Sequence, residues 1–375
     1  MQGLEVEGME KVVSAAALKN DLQTSQTGGL EKNSRLLSEP EERERERKAL
    51  RLHSMSALYR KEMADHISSK RFVIILAVMA ALTVASVYGS MTGIRSELAD
   101  SGSSMDLSNL FLRLYTTSGG SIPSYMSLIA LIGPFIGIIL GFDAINSERN
   151  SGTLNRLVAQ PIYRDSIIIG KFLASATLIG VLVLCSGITV GTAGFLFSGI
   201  RPSGEAVMRV LIYLLYTVVY ICFWQLMALL FSVFTRYAAT SALLSIALWL
   251  FFAIFVGLLA GVIANGVYPV NTDYEQSVNM IHYYNLNLGL NRVSPYYLYS
   301  EASTLIMDPA RSTMGYSYAQ IIDAYTGFLK QGRSYLSLGQ SLLLVWPHLV
   351  GLIALCFFAF ETAYVGFMRQ EVRGN

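Results

Sequence analysis

Six stretches of this chain are each long and apolar enough to cross a lipid bilayer, and nothing else limits its fold as strongly. A hydrocarbon core of about 30 Å takes about 20 residues of helix. The stretches are 72–91, 122–142, 172–197, 210–234, 240–264 and 342–360. Inside lipid every backbone polar group must be satisfied within the structure, so only helices and closed barrels cross. Runs of this length select helices. The sequence therefore predicts an all-α integral membrane protein with six transmembrane helices. The charges agree: residues 1–71 hold 13 Lys/Arg and 12 Asp/Glu, while the other 304 residues share only 29. A soluble enzyme on a membrane anchor is excluded, because the charge-poor body is most of the chain.

The remaining bulk features exclude more than they suggest. A net charge of +2 gives no basic field for nucleic acid. Cys185, Cys222 and Cys356 all fall in apolar runs, with no CxxC spacing, so neither a disulfide framework nor a redox motif is read. His53, His66, His282 and His348 are scattered, and no metal site is predicted. The first apolar run follows a long charged segment and reads as a signal anchor rather than a cleaved signal.

Orientation follows from the basic residues in short loops. Arg51, Arg60, Lys61, Lys70 and Arg71 precede span one. Arg149, Arg156, Arg164 and Lys171 lie between spans two and three, and Arg369 and Arg373 follow span six. Both termini are expected in the cytoplasm. Residues 1–40 show no apolar period and are read as a disordered tail. Residues 41–71 begin with the i,i+4 pairs Glu41–Arg45 and Glu44–Lys48. Met55, Leu58, Tyr59, Met63 and Ile67 then share one helical face, which predicts an interfacial amphipathic helix against the membrane. Residues 72–375 are expected to form the six-span transmembrane body.

The connection between spans two and three carries the densest signal. Gly152 permits a tight turn, and Thr153 can cap a helix start. Leu154, Leu157 and Val158 make a small apolar face, and Pro161 stops the helix. A short exposed helix with an apolar stripe needs cover, either from its own bundle or from a partner.

Here the order Glu148, Gly152-Thr153, Leu157, Pro161, Arg164, Gly170-Lys171 resembles the cytoplasmic loop of ABC-2 type transporter permeases. Tyr59 to Asp65 resembles the amphipathic N-terminal helix of that family. Ser294-Pro295, Tyr299 to Ala302, Asp308 to Arg311, and Phe367 to Arg373 resemble the prokaryotic subgroup labelled multicopper enzyme maturation permeases. The likeness runs over roughly residues 55–375. It implies that the short helix is a coupling helix docking in a groove of a separate ATP-binding subunit. Leu154, Leu157 and Val158 would be the docking face, with Glu148, Arg149 and Arg156 at its rim. It also implies a second permease subunit, identical or not, export rather than import, and a prokaryotic cell membrane. ATP and Mg²⁺ would belong to the partner. This chain has no GxxxxGK[ST] phosphate loop and is expected to bind no cofactor of its own.

Two further patterns have two readings each. Gly133, Gly137 and Gly141 in span two let a helix approach closely, either within one bundle or at a seam between subunits. Tyr213, Tyr216, Tyr220, Trp224 and Gln225 share a face of span four. They either hydrogen-bond between helices or line a translocation path. Residues 265–341 are too long for a plain connection and hold eleven of the 21 tyrosines. They are expected to form an external subdomain of short helices over the outer mouth, suited to substrate or an extracytoplasmic partner. Met280, His282, Met307 and Met314 in that loop make no recognised copper spacing.

The alternative reading is a stand-alone secondary transporter or channel, which usually carries ionisable groups or broken helices at the midplane. An intramembrane enzyme fits least, because no HExxH or GxSxG motif occurs.

Overall fold

The structure is a computed structural model, and it describes residues 44–45, 54–101, 110–153, 164–199, 202–269, 276–308 and 336–369. The chain divides into two compact units, Met1–Ala57 and Leu58–Asn375, and the second holds everything that follows. Residues 1–40, the coupling stripe Leu154 to Pro161, and residues 309–335 of the long loop lie outside the described residues.

All six predicted crossings are helices. Span one lies in α2 (Lys70–Ser101), preceded by α1, residues 58–68. Span two is α4 (Tyr125–Gly141), which starts where the Ser124 hydroxyl accepts from the Ser127 N–H at 3.3 Å, an N-cap. Spans three and four are α6 (Arg164–Ser198) and α7 (Gly204–Phe234). Span five is α8 (Ala238–Leu250) and α9 (Val256–Val267), joined by a π-helical turn at Phe251–Phe255. Span six is α12 (Leu338–Arg369). Among the described residues four shorter helices complete the body: α3 (Leu110–Thr116), α5 (Asn146–Asn150) and, between spans five and six, the pair α10 (Gln276–Asn291) and α11 (Pro295–Met307).

Span four is the axis. Spans two, three and six and helix α11 all pack on it. The glycine row brings span two onto the backbone of span four: a Cβ on Gly137 would sit 2.5 Å from the Ile221 carbonyl oxygen, and one on Gly141 2.5 Å from that of Gln225. Gly133 faces Ile221 in the same way. The row is a helix-packing seam inside one chain. Span five, by contrast, turns Leu243, Leu258, Val262 and Ile263 outward, as a helix facing lipid or another apolar surface must.

The pair α10–α11, expected as a cover over the mouth, is a hairpin that packs between the spans. The Ser294 hydroxyl, at its tip, donates to the Phe252 carbonyl at 2.7 Å. Phe252 is fourteen residues from Ala238, about 21 Å along span five at 1.5 Å per residue. Tyr299 stacks on Tyr220 with ring centroids 4.1 Å apart, and Tyr220 is sixteen residues, about 24 Å, from Gly204. Both contacts put the start of α11 near half depth. Its far end is held by Arg209, only 1% exposed, which donates to the Ile306 carbonyl at 2.8 Å, the Leu336 carbonyl at 2.7 Å and the Ser341 hydroxyl at 3.1 Å. A guanidinium on terminal helix carbonyls meets the negative end of the dipole, and Glu205 offsets its charge at 2.9 Å.

Candidate functional site

At the end of the bundle that carries α1 and the connection between spans two and three, three elements meet through charge. Lys171 is near the start of span three and 5% exposed. Its ammonium donates to Glu62 of α1 at 3.0 Å and to Glu148 of α5 at 2.8 Å. Glu62 and Glu148 are 6% and 8% exposed. Lys61 adds an outer layer, 3.1 Å from Glu62, 3.3 Å from Asp65 and 3.6 Å from Glu148. A buried charge is tolerated only when paired and hydrogen-bonded, and here one cation serves two carboxylates.

Backbone geometry brings these groups together. Gly170 lets α1 come close: a Cβ there would lie 3.1 Å from the Leu58 side chain. Lys171, next in sequence, then reaches Glu62 one turn along α1. Arg71 pairs with Asp143 and lies 5.1 Å over the Phe142 ring, so span one is tied to the end of span two. The N–H groups of Ile145 and Asn146 donate to the Ser232 hydroxyl at 3.0 and 3.2 Å, and Arg149 donates to the Val233 carbonyl at 3.3 Å. These bonds fix α5 on the end of span four. Gly152 has φ of +70°, the left-handed turn that glycine adopts without cost. The Thr153 hydroxyl turns back to the Glu148 carbonyl at 3.3 Å.

The knot walls a cavity of about 520 Å³ that also reaches Arg71, Asp143, Ser175 and Gln225. Among the described residues Glu148 Oε2 and Gln225 Oε1 have no hydrogen-bond partner; a polar cavity of this size admits the water they need. Burial pushes the Glu62 carboxyl up, but Lys171 and Lys61 outweigh it and hold it below the ordinary range. Burial lowers Lys61 as well, and Glu62, Glu148 and Asp65 more than restore it, so it is raised. His66 is lowered, chiefly by burial, and is mainly neutral near pH 7.

The tyrosine face of span four is interior. Tyr213, Tyr216, Tyr220, Trp224 and Gln225 are each at most 3% exposed. Tyr220 donates to the Ala130 carbonyl at 3.1 Å and Tyr216 to the Leu298 carbonyl at 3.2 Å. Tyr299 of the hairpin pairs with Thr217 at 2.9 Å and donates to Tyr213 at 3.2 Å. Gln225 donates to the Ser175 hydroxyl at 2.6 Å. This face makes interhelical hydrogen bonds, and Gln225 also lines the cavity beside the knot.

The ABC-2 family transporter protein pattern matches residues 56–371. The chain belongs to this family. Two curated relatives are similar over shorter stretches, each a "Probable ABC transporter permease protein NosY". That of Pseudomonas aeruginosa is 32% identical over 92 residues, 24% of this chain and 32% of the relative. That of Stutzerimonas stutzeri is 34% identical over 70 residues, 19% of this chain and 25% of the relative. The chain thus spans only about a quarter to a third of the curated relatives it matches.

Within this ABC-2 chain, the predicted loop residues fall into two groups. Glu148, Arg149, Gly152 and Thr153 are gathered at the knot, where Glu148 accepts from Lys171. Leu154, Arg156, Leu157, Val158 and Pro161 lie outside the described residues, as does the Arg164 side chain. Sequence reasoning missed Glu62 and Lys171 as partners, although both stood inside the quoted motifs. It also missed Arg209, counted only as a loop charge, and the trio Arg292, Glu301 and His348. Among the described residues no group of His, Cys, Asp and Glu could hold a metal.

Proposed function

We propose that this chain is the membrane-spanning permease subunit of an ATP-driven ABC-2 transporter. A separate ATP-binding subunit docks on residues 154–161 at the cytoplasmic side. ATP and Mg²⁺ belong to that subunit, and the chain works with a second permease subunit to export its substrate.

The observation that carries this reading is the Lys171 knot. A push on a loop does work on a bundle only if the loop's root is rigidly joined to several spans. Glu148 roots the loop to Lys171 of span three, and Lys171 continues to Glu62 of the interfacial helix. Ser232 and Val233 hold the same root to span four. Movement of the docking stripe therefore reaches spans three and four and α1 together, and these charges have no need of a partner's groove.

A stand-alone carrier driven by ions is the second reading. The observation favouring it is the ionisable trio Arg292, Glu301 and His348 inside the span region. Purification from the native membrane separates the two. An ATP-binding subunit that travels with the chain, and is lost on Leu157→Asp, supports the permease. Transport that persists in vesicles with no such subunit bound decides for the carrier.

A further inference from the structure

Arg292, at the tip of the hairpin, donates to both oxygens of Glu301 at 2.9 and 2.6 Å. His348 of span six approaches the same carboxylate at 3.0 Å. The side chains of Glu301 and His348 are 14% and 7% exposed, but that of Arg292 is 46% exposed. The tip lies near half depth by its contacts with Phe252 and Tyr220. A guanidinium facing hydrocarbon there is costly, and lipid tails offer it no acceptor. The outward residues of span five at similar depth, Ile254, Phe255 and Leu258, are apolar, as lipid requires. The hairpin tip and span five therefore face different surroundings.

We propose that the Arg292 side of the hairpin is a wall of the translocation path, and that its guanidinium receives an acidic group of the passing substrate, a phosphate or a carboxylate. This rests on the reading of the chain as a transporter. Glu301 is shared between Arg292 and His348, so the trio is neutral with neutral His348 and +1 with it protonated. An anion meets no net repulsion. A guanidinium has five N–H donors, and the bonds to Glu301 use two, leaving three for a ligand with several acceptors. Glu301, with two hydrogen bonds from Arg292, is the positioning residue that keeps the guanidinium from folding away.

The test uses thiol chemistry at Val293, which is 67% exposed beside Arg292. In the full-length chain with Cys185, Cys222 and Cys356 replaced by Ala, Val293→Cys is treated with two membrane-impermeant reagents. One bears a sulfonate and the other a quaternary ammonium, with rates normalised to a small free thiol. Both should react, the sulfonate several-fold faster. Adding Arg292→Gln should bring the ratio close to one, while Arg292→Lys should keep most of it. Leu258→Cys, at similar depth on span five, should react only with an apolar maleimide. Val293→Cys behaving like Leu258→Cys overturns the path wall, and a ratio unmoved by Arg292→Gln overturns the anion site. Protection by inorganic phosphate identifies a small anion, and protection by short-chain phosphatidic acid alone identifies a lipid headgroup. Protection by neither also rejects the anion site. The ATP-binding subunit is assayed in the same preparation: its retention beside an inaccessible Val293→Cys defeats this inference and leaves the permease reading standing.

Discussion

The protein handles buried polarity in two ways, at two depths. At the end carrying α1, Lys171, Glu62 and Glu148 form a charged knot on the wall of a cavity. At half depth, Tyr213, Thr217, Tyr220 and Tyr299 form a neutral network sealed between spans two and four and the hairpin. Desolvating a charge costs far more than desolvating a hydroxyl. In these two regions the charges line a cavity that admits water, and the hydroxyls are sealed from it. The knot holds elements by interactions that pH and salt can alter. The tyrosine network holds them by packing and stacking that neither alters much. The first suits a part that must transmit movement, the second a part that must keep its shape.

The contrast can be broken most forcefully at Lys171. Lys171→Met leaves two buried carboxylates with only the outer Lys61 between them. It should destabilise the detergent-solubilised protein by about 3–5 kcal/mol, the usual cost of stranding a buried charge, read as a fall in the thermal unfolding midpoint. Neutralising all three groups, with Glu62→Gln and Glu148→Gln added, should recover most of that loss. If the triple variant unfolds as early as the single one, the knot is not held by charge.

Acid should act on the same end. The folded Glu62 carboxyl lies below its ordinary value, and an unperturbed Glu titrates near 4.3. Its contribution is fully present above about pH 4.3 and disappears as pH falls through the lower folded value. Stability should decline gently below about pH 6.5, where the unfolded chain protonates His66 and the buried, lowered imidazole resists it, and drop more steeply below about 4. The Lys171→Met variant should show a weaker acid limb.

Smaller still is the effect expected at the tyrosine network. Tyr299→Phe keeps the ring stacked on Tyr220 and removes the hydroxyl shared with Thr217 and Tyr213. About 1 kcal/mol should be lost, with no change in the acid limb. A loss as large as that of Lys171→Met would erase the distinction between the two regions.

What the sequence made legible follows from the range of the interactions involved. The six spans were readable because a bilayer imposes length and apolarity on each one locally. Gly152 was readable as a turn because a positive φ selects glycine at that residue alone. The pairing of Glu148 with Lys171 was not legible because its partner stands 23 residues on, and Glu62 is a further helix away. The hairpin was hidden by its composition. Asn285, Asn287, Asn291 and Arg292 are not the residues of a crossing, and only pairing with Glu301 and Phe252 lets that segment enter the bundle. The tyrosines of span four were noticed as a face, but Tyr299, which satisfies them, lies over 80 residues away.

The central claim is that the 154–161 stripe is where an ATP-binding subunit docks and that the knot is its mount. Quantitative co-purification with Leu157→Asp tests it most directly. The account predicts that Leu157→Asp leaves the unfolding midpoint of the chain unchanged and removes the ATP-binding subunit together with ATP-stimulated transport. A Leu157→Asp chain that still carries that subunit at the unsubstituted ratio, or that transports without one, would contradict it.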